Sequence, residues 1–311
     1  ESIRPIPVFI APGNHDPWGR LSPYATEPWP ANVFIFNRPE WAEHALHTAP
    51  LTVHGFAFDG PDISANPFGK LVPARDGRVH VAVAHGSEQS RQPAGKSAYA
   101  PFDARDAAVD GLAYLALGHF HRVTCIEGNF QTPMYYSGAP EGHGFDECGP
   151  HHFLEVEIPL EHPNALVRPV VSSRAVYENK DLDCSEFTHA QELVDALRRM
   201  AGPAAMKKLL RVRLHGICAP SLRPALGGLR DVLRDLFEYL EIFDESQPEE
   251  NYDVLACEDT SLGEFARQTA AAIEAAPDVR TRTMLCRARE VGLAAYQGQD
   301  IPVHGIGNEA G

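Results

Sequence analysis

The chain has 311 residues, of which 44% are hydrophobic and 22% are charged; this composition excludes a disordered chain and allows one large domain or two. A formal net charge of −15 argues against a general nucleic-acid coat, but it is compatible with a nuclease that binds through a local basic patch and metal ions. Six scattered cysteines without a C-x-x-C indicate reduced thiols, and no apolar run reaches the ~18 residues of a membrane helix, so we expect a cytoplasmic protein.

The first half of the chain is predicted to consist of short β-strands joined by Gly/Pro-rich connections. The candidate strands are 6–11, 32–36, 51–58, 79–84, 114–117, 134–137 and 153–158. Continuous apolar stretches such as VHVAVAH and YLALGH are typical of strands that are buried on both faces. We therefore predict a layered, β-rich α/β core over 1–168.

In the second half of the chain, the apolar residues are spaced as in helices. We predict a connector over 169–183 and a small α/β cap over 169–246, with helix 186–201, strand 209–214 and an amphipathic helix 221–242 that Gly227-Gly228 weakens. A polar linker is expected at 247–251 and a helical segment over 252–311. In that segment, a capping box at Ser261 and Glu264 predicts a helix to about residue 276, and a helix 279–296 and a frayed end at 301–311 follow.

Three histidine-containing motifs each follow an apolar strand pattern. They are Gly13-Asn14-His15-Asp16 after VFIAP, His85-Gly86 after VHVAVA, and Gly118-His119-Phe120-His121 after AYLAL. Taken alone, the GNHD motif is more typical of a turn than of a site, the H-x-H is a weak signal because a histidine can be a buried packing residue, and His85-Gly86 indicates almost nothing. Because ligand sites of α/β sheets lie beyond the carboxyl ends of the strands, we expect the three loops to converge.

These side chains suit a metal centre. Imidazole nitrogen and amide oxygen are ligands of divalent transition metals. Alternate residues of an extended H-x-H point opposite ways, so His119 and His121 would serve two ions, or one ion and a neighbour. Two ions can clamp both oxygens of an in-line phosphoryl displacement. His15 could protonate the leaving oxygen if a carboxylate such as Asp16 oriented it. The other histidines are interpreted as surface or packing residues.

The order GNHD…HG…GHFH resembles the last three motifs of the calcineurin-like metallophosphoesterases. The further segments YLALGHFHR, YYSGAPEGHGFDECG and HHFLEVEI resemble the SbcD-type DNA-repair exonucleases, the nuclease subunits of SbcCD-like complexes. The resemblance runs from about residue 6 to residue 158. It implies a β-sandwich metallophosphoesterase core flanked by helices, with a cap and C-terminal helices.

The resemblance also implies roles for individual residues. Asn14, His85 and His119 match ligands of the family's second metal ion, and His121 matches a ligand of the first. His15 matches the catalytic histidine, with Asp16 orienting it. The family's usual ions are two manganese ions. No catalytic role is assigned in 137–147, where Glu141 and His143 are interpreted as structural.

The family's first two motifs, Asp-x-His and Gly-Asp-x-x-Asp, have no match in this chain. Only ten residues precede Ala11, and none of them is Asp or His. The chain therefore reads as N-terminally truncated, and by itself we expect it to be inactive or at best a weak binder of one metal ion.

The resemblance implies Mn-dependent phosphodiester hydrolysis on DNA, an SbcC-like ATPase partner docking on helices 260–296, and a homodimer. Ordinary packing is the alternative for those helices. Arg223, Arg230 and Arg234 could contact phosphates, or they could simply form a solvated helix face. Two other functions stay open: another calcineurin-like enzyme that acts on nucleotides or phosphoproteins, and a degenerate scaffold without a metal centre.

Overall fold

The computed structural model describes residues 4–92, 94–160, 165–201, 207–248 and 252–296. It confirms a mixed α/β protein with a multi-stranded central sheet and flanking helices. The strands are β1 Val8–Ile10, β2 Val33–Ile35, β3 Ala42–Ala45, β4 Leu51–Gly55, β5 Val79–His85, β6 Leu112–Gly118, β7 Thr124–Cys125, β8 Met134–Tyr136, β9 His152–Glu157, β10 Leu166–Val171, β11 Ala175–Asp183, β12 Lys207–His215, β13 Ile217–Cys218, β14 Tyr239–Asp244 and β15 Gln247–Pro248. The helices are α1 Pro23–Thr26, α2 Ala104–Ala107, α3 Ala190–Ala201, α4 Arg223–Leu226, α5 Leu229–Leu233, α6 Tyr252–Ala256, α7 Ser261–Glu274 and α8 Val279–Tyr296.

The chain divides into two compact units, one comprising 1–178 with 205–208 and the other comprising 179–204 with 209–311. The first unit contains a six-stranded sheet in the order β3-β4-β5-β6-β8-β7. Strands β4, β5, β6 and β8 are parallel, and the edge strands β3 and β7 are antiparallel to their neighbours. The parallel strands therefore end at the same edge of the sheet, where their loops can meet.

Strand β5 shows how the central sheet is buried on both faces. Ala82 and Ala84 point into the larger core, whereas Val81 and Val83 point to the opposite face. On that opposite face, the parallel pair β1–β2 contributes Phe9, and Phe36, which follows β2, packs there too. This two-sided burial explains the continuous apolar sequence of the inner strands.

The predicted connector 169–183 is wrong, because most of it is strand. β10 pairs with β9 in an antiparallel ribbon, and β11 extends over nine residues. Pro169 lies within β10 opposite Leu154. A two-stranded ribbon consists of edge strands, where the missing N–H of a proline is tolerated. The proline and the polar sequence ENKDLD concealed both strands from the sequence analysis.

The second unit is built on its own apolar core. Its sheet has the order β11-β12-β14, and β12 pairs with β14 in parallel. Leucines from α3, α4 and α5 cover this sheet, and Leu193, Leu197, Leu222 and Leu233 are all completely buried. The predicted helix 186–201 begins later, at Ala190, after a 3-10 turn at Cys184–Glu186.

The predicted helix 221–242 is wrong. The segment forms α4, α5, a 3-10 turn at Arg234–Leu236 and then strand β14. Gly227 and Gly228 separate the two short helices, consistent with the low helix propensity of glycine. The aromatic and β-branched sequence YLEIFD suits a strand. Arg223 therefore does not share a helix face with Arg230, and it donates to the Ser246 carbonyl at 3.0 Å.

The C-terminal helices are present as predicted, with small shifts at their ends. Helix α7 is capped by Thr260 rather than Ser261, since the Gly263 N–H donates to Thr260 Oγ1 at 3.0 Å. Phe265 on α7 lies 5.5 Å from Tyr296 of α8, measured between ring centroids. The predicted frayed end 301–311 lies outside the described residues, as do residues 249–251 of the predicted linker. Across the described ranges, no helix has the length and apolar character needed to cross a membrane.

Candidate metal centre

The loop that follows β1 is fixed against the core of the first unit. The Phe58 N–H donates to the Pro12 carbonyl at 3.0 Å, and the Trp18 N–H donates to the Phe58 carbonyl at 2.7 Å. These bonds hold both ends of the GNHD segment. Asn14 is only 7% exposed, so its amide is directed into the protein rather than into solvent.

Asn14 meets His85 at the carboxyl end of β5. Asn14 Oδ1 lies 2.8 Å from His85 Nε2. Two glycines allow this approach: a Cβ atom at Gly13 would lie 2.6 Å from the His85 ring, and one at Gly118 would lie 3.0 Å from His85 Nδ1. Neither glycine could carry a side chain unless His85 moved. The small residues of the two motifs therefore make room for the imidazole.

His119 joins the same cluster through the register of the sheet. His85 pairs with Gly118 across β5 and β6, which places the next residue, His119, beside His85. The two imidazole rings are 5.3 Å apart between centroids, at an interplanar angle of 73°. The backbone of His119 has φ = 127°, a conformation that favours glycine. A strained backbone at this position is consistent with a functional requirement for the imidazole.

The electrostatic environment keeps these rings neutral. Burial, reinforced by the neighbouring His119, lowers the pKa of His85 to about 4. Burial also lowers the pKa of His119, and the charges of His121 and His15 add to this effect. A neutral imidazole offers a lone pair to a metal ion, so both rings are in the protonation state that ligation needs.

His15 and Asp16 are exposed to solvent, unlike the buried Asn14. His15 is exposed, and the Asp16 carboxylate accepts hydrogen bonds from the Gly13 N–H, at 3.0 Å, and from the Tyr24 hydroxyl. Within the described ranges, no hydrogen bond joins Asp16 to the His15 ring. Asp16 thus fixes the turn that carries Asn14 and His15, and its role in orienting the His15 ring stays a prediction.

His121 is hydrogen-bonded to the loop that follows β8, the neighbour of β6 in the sheet. Its Nδ1 forms a hydrogen bond with the Glu147 carboxylate, and the His143 N–H donates to the other carboxylate oxygen at 3.0 Å. The rings of His121 and His143 are 5.2 Å apart. Burial acts to raise the pKa of Glu147, but the hydrogen bonds from His121 and the His143 backbone outweigh it and lower that pKa.

Glu147 was missed by the sequence analysis, and His143 was interpreted as structural. A signal was present, because the loop 137–147 follows an apolar strand pattern just as the three motifs do. It carries a histidine and a carboxylate four residues apart. The loop lacks regular structure, so this spacing alone could not show that the two side chains meet.

His54 and His80 are packing residues, which confirms their interpretation from the sequence. His54 and His80 are each 3% exposed, and His54 Nε2 lies 2.8 Å from His80 Nδ1. His80 Nε2 lies 3.0 Å from Asp76 Oδ1, and Glu43 is 4.0 Å from the other nitrogen of His54. This chain of partners lies at the amino end of β5, away from the three motifs.

The donor set fits a divalent metal. One amide oxygen and two neutral imidazoles meet where Asn14, His85 and His119 converge, and His121 lies close enough for its charge to influence both of these histidines. Nitrogen with neutral oxygen is a ligand set for manganese, iron or zinc. The arrangement also explains why an asparagine, rather than an apolar residue, is buried in this position.

A comparison with curated proteins finds a similarity to the uncharacterized metallophosphoesterase YhaO of Bacillus subtilis (strain 168). The identity is 24% over 254 residues, which cover 79% of this chain and 58% of YhaO. The chain thus spans less than two thirds of that relative. No family model matches the chain. This weak similarity to a metallophosphoesterase agrees with the expectation that the three histidine-containing motifs raise.

Proposed function

We propose that this chain carries the metal-binding motifs of an SbcD-like DNA exonuclease, which hydrolyses phosphodiester bonds with two manganese ions. The observation that supports the proposal is the meeting of Asn14, His85 and His119 at the ends of three strands. A buried amide and two neutral imidazoles that meet in this way suit this chemistry.

The residues of this chain would divide the work as follows. Asn14, His85 and His119 would hold one ion, and His121 would help to hold the other. When bound, the two ions would clamp both oxygens of an in-line phosphoryl displacement. His15 is exposed beside this cluster, and among the described residues its ring has no hydrogen-bond partner. It is therefore free to contact a substrate and to protonate the leaving oxygen.

DNA as the substrate is supported by the segment SGAPEGHGFDECG and by the presence of a second α/β unit. The same resemblance supports an SbcC-like ATPase partner, with the helices α7 and α8 as its docking surface, and a homodimer. These partners are part of the proposal. The net charge of −15 implies that DNA would be held locally, by the ions and a limited set of cationic side chains.

The experiment compares two substrates with the full-length gene product in Mn²⁺. Hydrolysis of double-stranded DNA and of a small phosphodiester, bis(p-nitrophenyl) phosphate, is measured for wild type, His85→Ala and His15→Ala. His47→Ala is the matched control for an exposed histidine. We expect DNA hydrolysis by wild type and His47→Ala. Loss of activity should be about 100-fold or more in the other two variants, in the range reported for general acid–base groups and metal-site residues.

Two outcomes would contradict the proposal. Strong turnover of the small ester with none on DNA would favour another calcineurin-like phosphoesterase that acts on nucleotides or phosphoproteins. No turnover of either substrate, together with no Mn²⁺ binding, would favour a non-catalytic scaffold.

A further inference from the structure

A second group of potential ligands surrounds His121. One of its ring nitrogens, a ring nitrogen of His143 and a carboxylate oxygen of Glu147 all lie within 4.8 Å of one another. The Glu147 side chain is 17% exposed, whereas that of His121 is 49% exposed. The carboxylate is therefore sheltered at the base of the group, and the imidazoles border the solvent from which an ion would arrive.

We propose that His121, His143 and Glu147 form a three-ligand site for one divalent transition-metal ion, such as Zn²⁺. Two imidazoles and one carboxylate leave a fourth position for water, as in metal sites that stay open to a ligand. The site shares His121 with the proposed phosphoesterase centre. It adds two ligands that the family resemblance does not assign, and binding would not require the chain to hydrolyse a substrate.

The distances allow coordination with only side-chain adjustments. Nitrogen and oxygen ligands lie about 2.0–2.2 Å from zinc, so neighbouring ligands of a tetrahedral ion are roughly 3.3 Å apart. The hydrogen-bonded atoms of His121 and Glu147 would separate slightly, and the His143 ring would turn toward them. For Nδ1 of His121 to bind the ion, the N–H proton of the neutral ring would reside on Nε2, because a ligating nitrogen must offer a lone pair.

The loop that carries His143 and Glu147 is held by bonds that do not involve the three side chains. The Ala139 N–H donates to the His121 carbonyl at 2.9 Å. The ring of buried His151 lies 3.0 Å from the Ala139 carbonyl through Nδ1 and 3.1 Å from the Glu147 carbonyl through Nε2. Both ends of the loop thus lie against one imidazole, which donates to at least one of the two carbonyls and positions the ligands before any ion binds.

Gly138 makes the close approach of this loop possible. Its φ is 74°, and a Cβ atom there would lie 2.8 Å from the His121 carbonyl oxygen. The Ser172 hydroxyl donates to the Pro140 carbonyl at 2.7 Å, just beyond this turn. The backbone therefore brings the loop to His121 independently of the hydrogen bond that Glu147 makes with its ring.

The test measures Zn²⁺ binding to the metal-free 311-residue chain by isothermal titration calorimetry, with bound zinc counted by elemental analysis. His143→Ala and Glu147→Gln remove one proposed ligand each, His85→Ala disrupts the neighbouring cluster, and His47→Ala is the surface control. We expect His143→Ala and Glu147→Gln each to weaken one binding event by at least about tenfold. His47→Ala should leave that event unchanged, and His85→Ala serves only to assign any second binding event to the neighbouring cluster. Equal unfolding temperatures in EDTA would show that all variants fold.

Wild-type affinity in both His143→Ala and Glu147→Gln would overturn the site. A loss in Glu147→Gln alone would also overturn it, since Glu147 would then act only by orienting the His121 ring. Neither result depends on hydrolysis. A failure of the proposed phosphoesterase function would appear instead as missing turnover in the full-length protein with this zinc-binding event intact.

Discussion

The two ends of strand β5 carry the same residue type in two different environments. His80, at the amino end, lies on the face of Ala82 and Ala84 and is bonded to His54 and Asp76. His85, at the carboxyl end, is adjacent to Asn14 and His119. Burial alone does not separate them, because both rings are shielded from water.

His80 and His85 differ in the side chains that surround their rings. Both nitrogens of His80 lie within hydrogen-bond distance of protein groups, His54 and Asp76, so this ring contributes to stability. The neighbours of His85 are an amide and an imidazole, which are side chains of the kinds that bind metal ions. Loops that follow parallel strands bring them there. Chain direction decides the difference, since only the carboxyl ends of parallel strands gather such loops.

The strongest test of this difference between His80 and His85 is to displace the His85 ring without replacing the residue. Gly13→Ala places a Cβ atom 2.6 Å from the His85 ring, so the imidazole or the loop must shift. We expect the Mn²⁺ affinity of the chain to fall by about 100-fold. Gly19→Ala is the matched control, because no atom lies within 4 Å of its added methyl group. Titration calorimetry with Mn²⁺ measures both, and equal affinities would refute the close-approach argument.

At the amino end of β5, His80→Ala should cost stability and leave metal binding unchanged. The substitution leaves the buried His54 Nε2 without its partner, whereas Asp76 Oδ1 still accepts from the Arg78 N–H; a buried unpaired group costs about 1–3 kcal/mol. Urea denaturation measures the free energy of unfolding, with His47→Ala as the control. A variant that lost Mn²⁺ affinity while keeping wild-type stability would reverse the roles assigned to the two histidines.

The buried pair also predicts how stability depends on pH. Burial and the neighbouring His80 lower the pKa of His54, so the unfolded chain binds a proton more readily than the folded one. The resulting stability is present above the unfolded-state value of about 6.5 and is lost as the pH falls below it. We expect the free energy of unfolding to decrease from pH 7.5 to pH 5.5. In His54→Gln the decrease should be shallower, and an unchanged slope would exclude His54 as a source.

The smallest expected effect concerns the turn that carries Asn14. Tyr24→Phe removes the hydroxyl that donates to the Asp16 carboxylate, but the bond from the Gly13 N–H remains. Stability should fall by about 0.5–1.5 kcal/mol, as for one hydrogen bond. Mn²⁺ affinity should fall less than about tenfold, below the effect of Gly13→Ala. A loss as large as that of Gly13→Ala would show that Asp16 controls the cluster more directly than the contacts indicate.

The sequence predicted the strands of the central sheet because these strands are buried on both faces. It failed where local pattern and tertiary pairing disagree. The leucines at 222, 226, 229 and 233 have helical spacing and do line a core, yet Gly227 and Gly228 interrupt the helix and β14 completes a sheet. Pairing partners more than twenty residues away decide such segments, and a local pattern does not contain them.

For the site, the order of the three motifs predicted that Asn14, His85 and His119 would be brought together. Their roles as metal ligands stay predictions. What the sequence did not show was the contact between His121 and Glu147, since an irregular loop has no periodicity from which to place a side chain. The buried bonding of His54 and His80 was equally invisible in detail, although their assignment to packing was right.

The backbone of His119 has an evolutionary consequence. A φ of 127° costs a residue other than glycine on the order of 1–3 kcal/mol, so folding alone would favour glycine at this position. Selection for the imidazole would be what opposes that drift. If His119 binds a metal ion as proposed, position 119 should change to glycine early in descendants that no longer use that ion. A glycine there would identify copies of this chain that have lost their chemistry while keeping their fold.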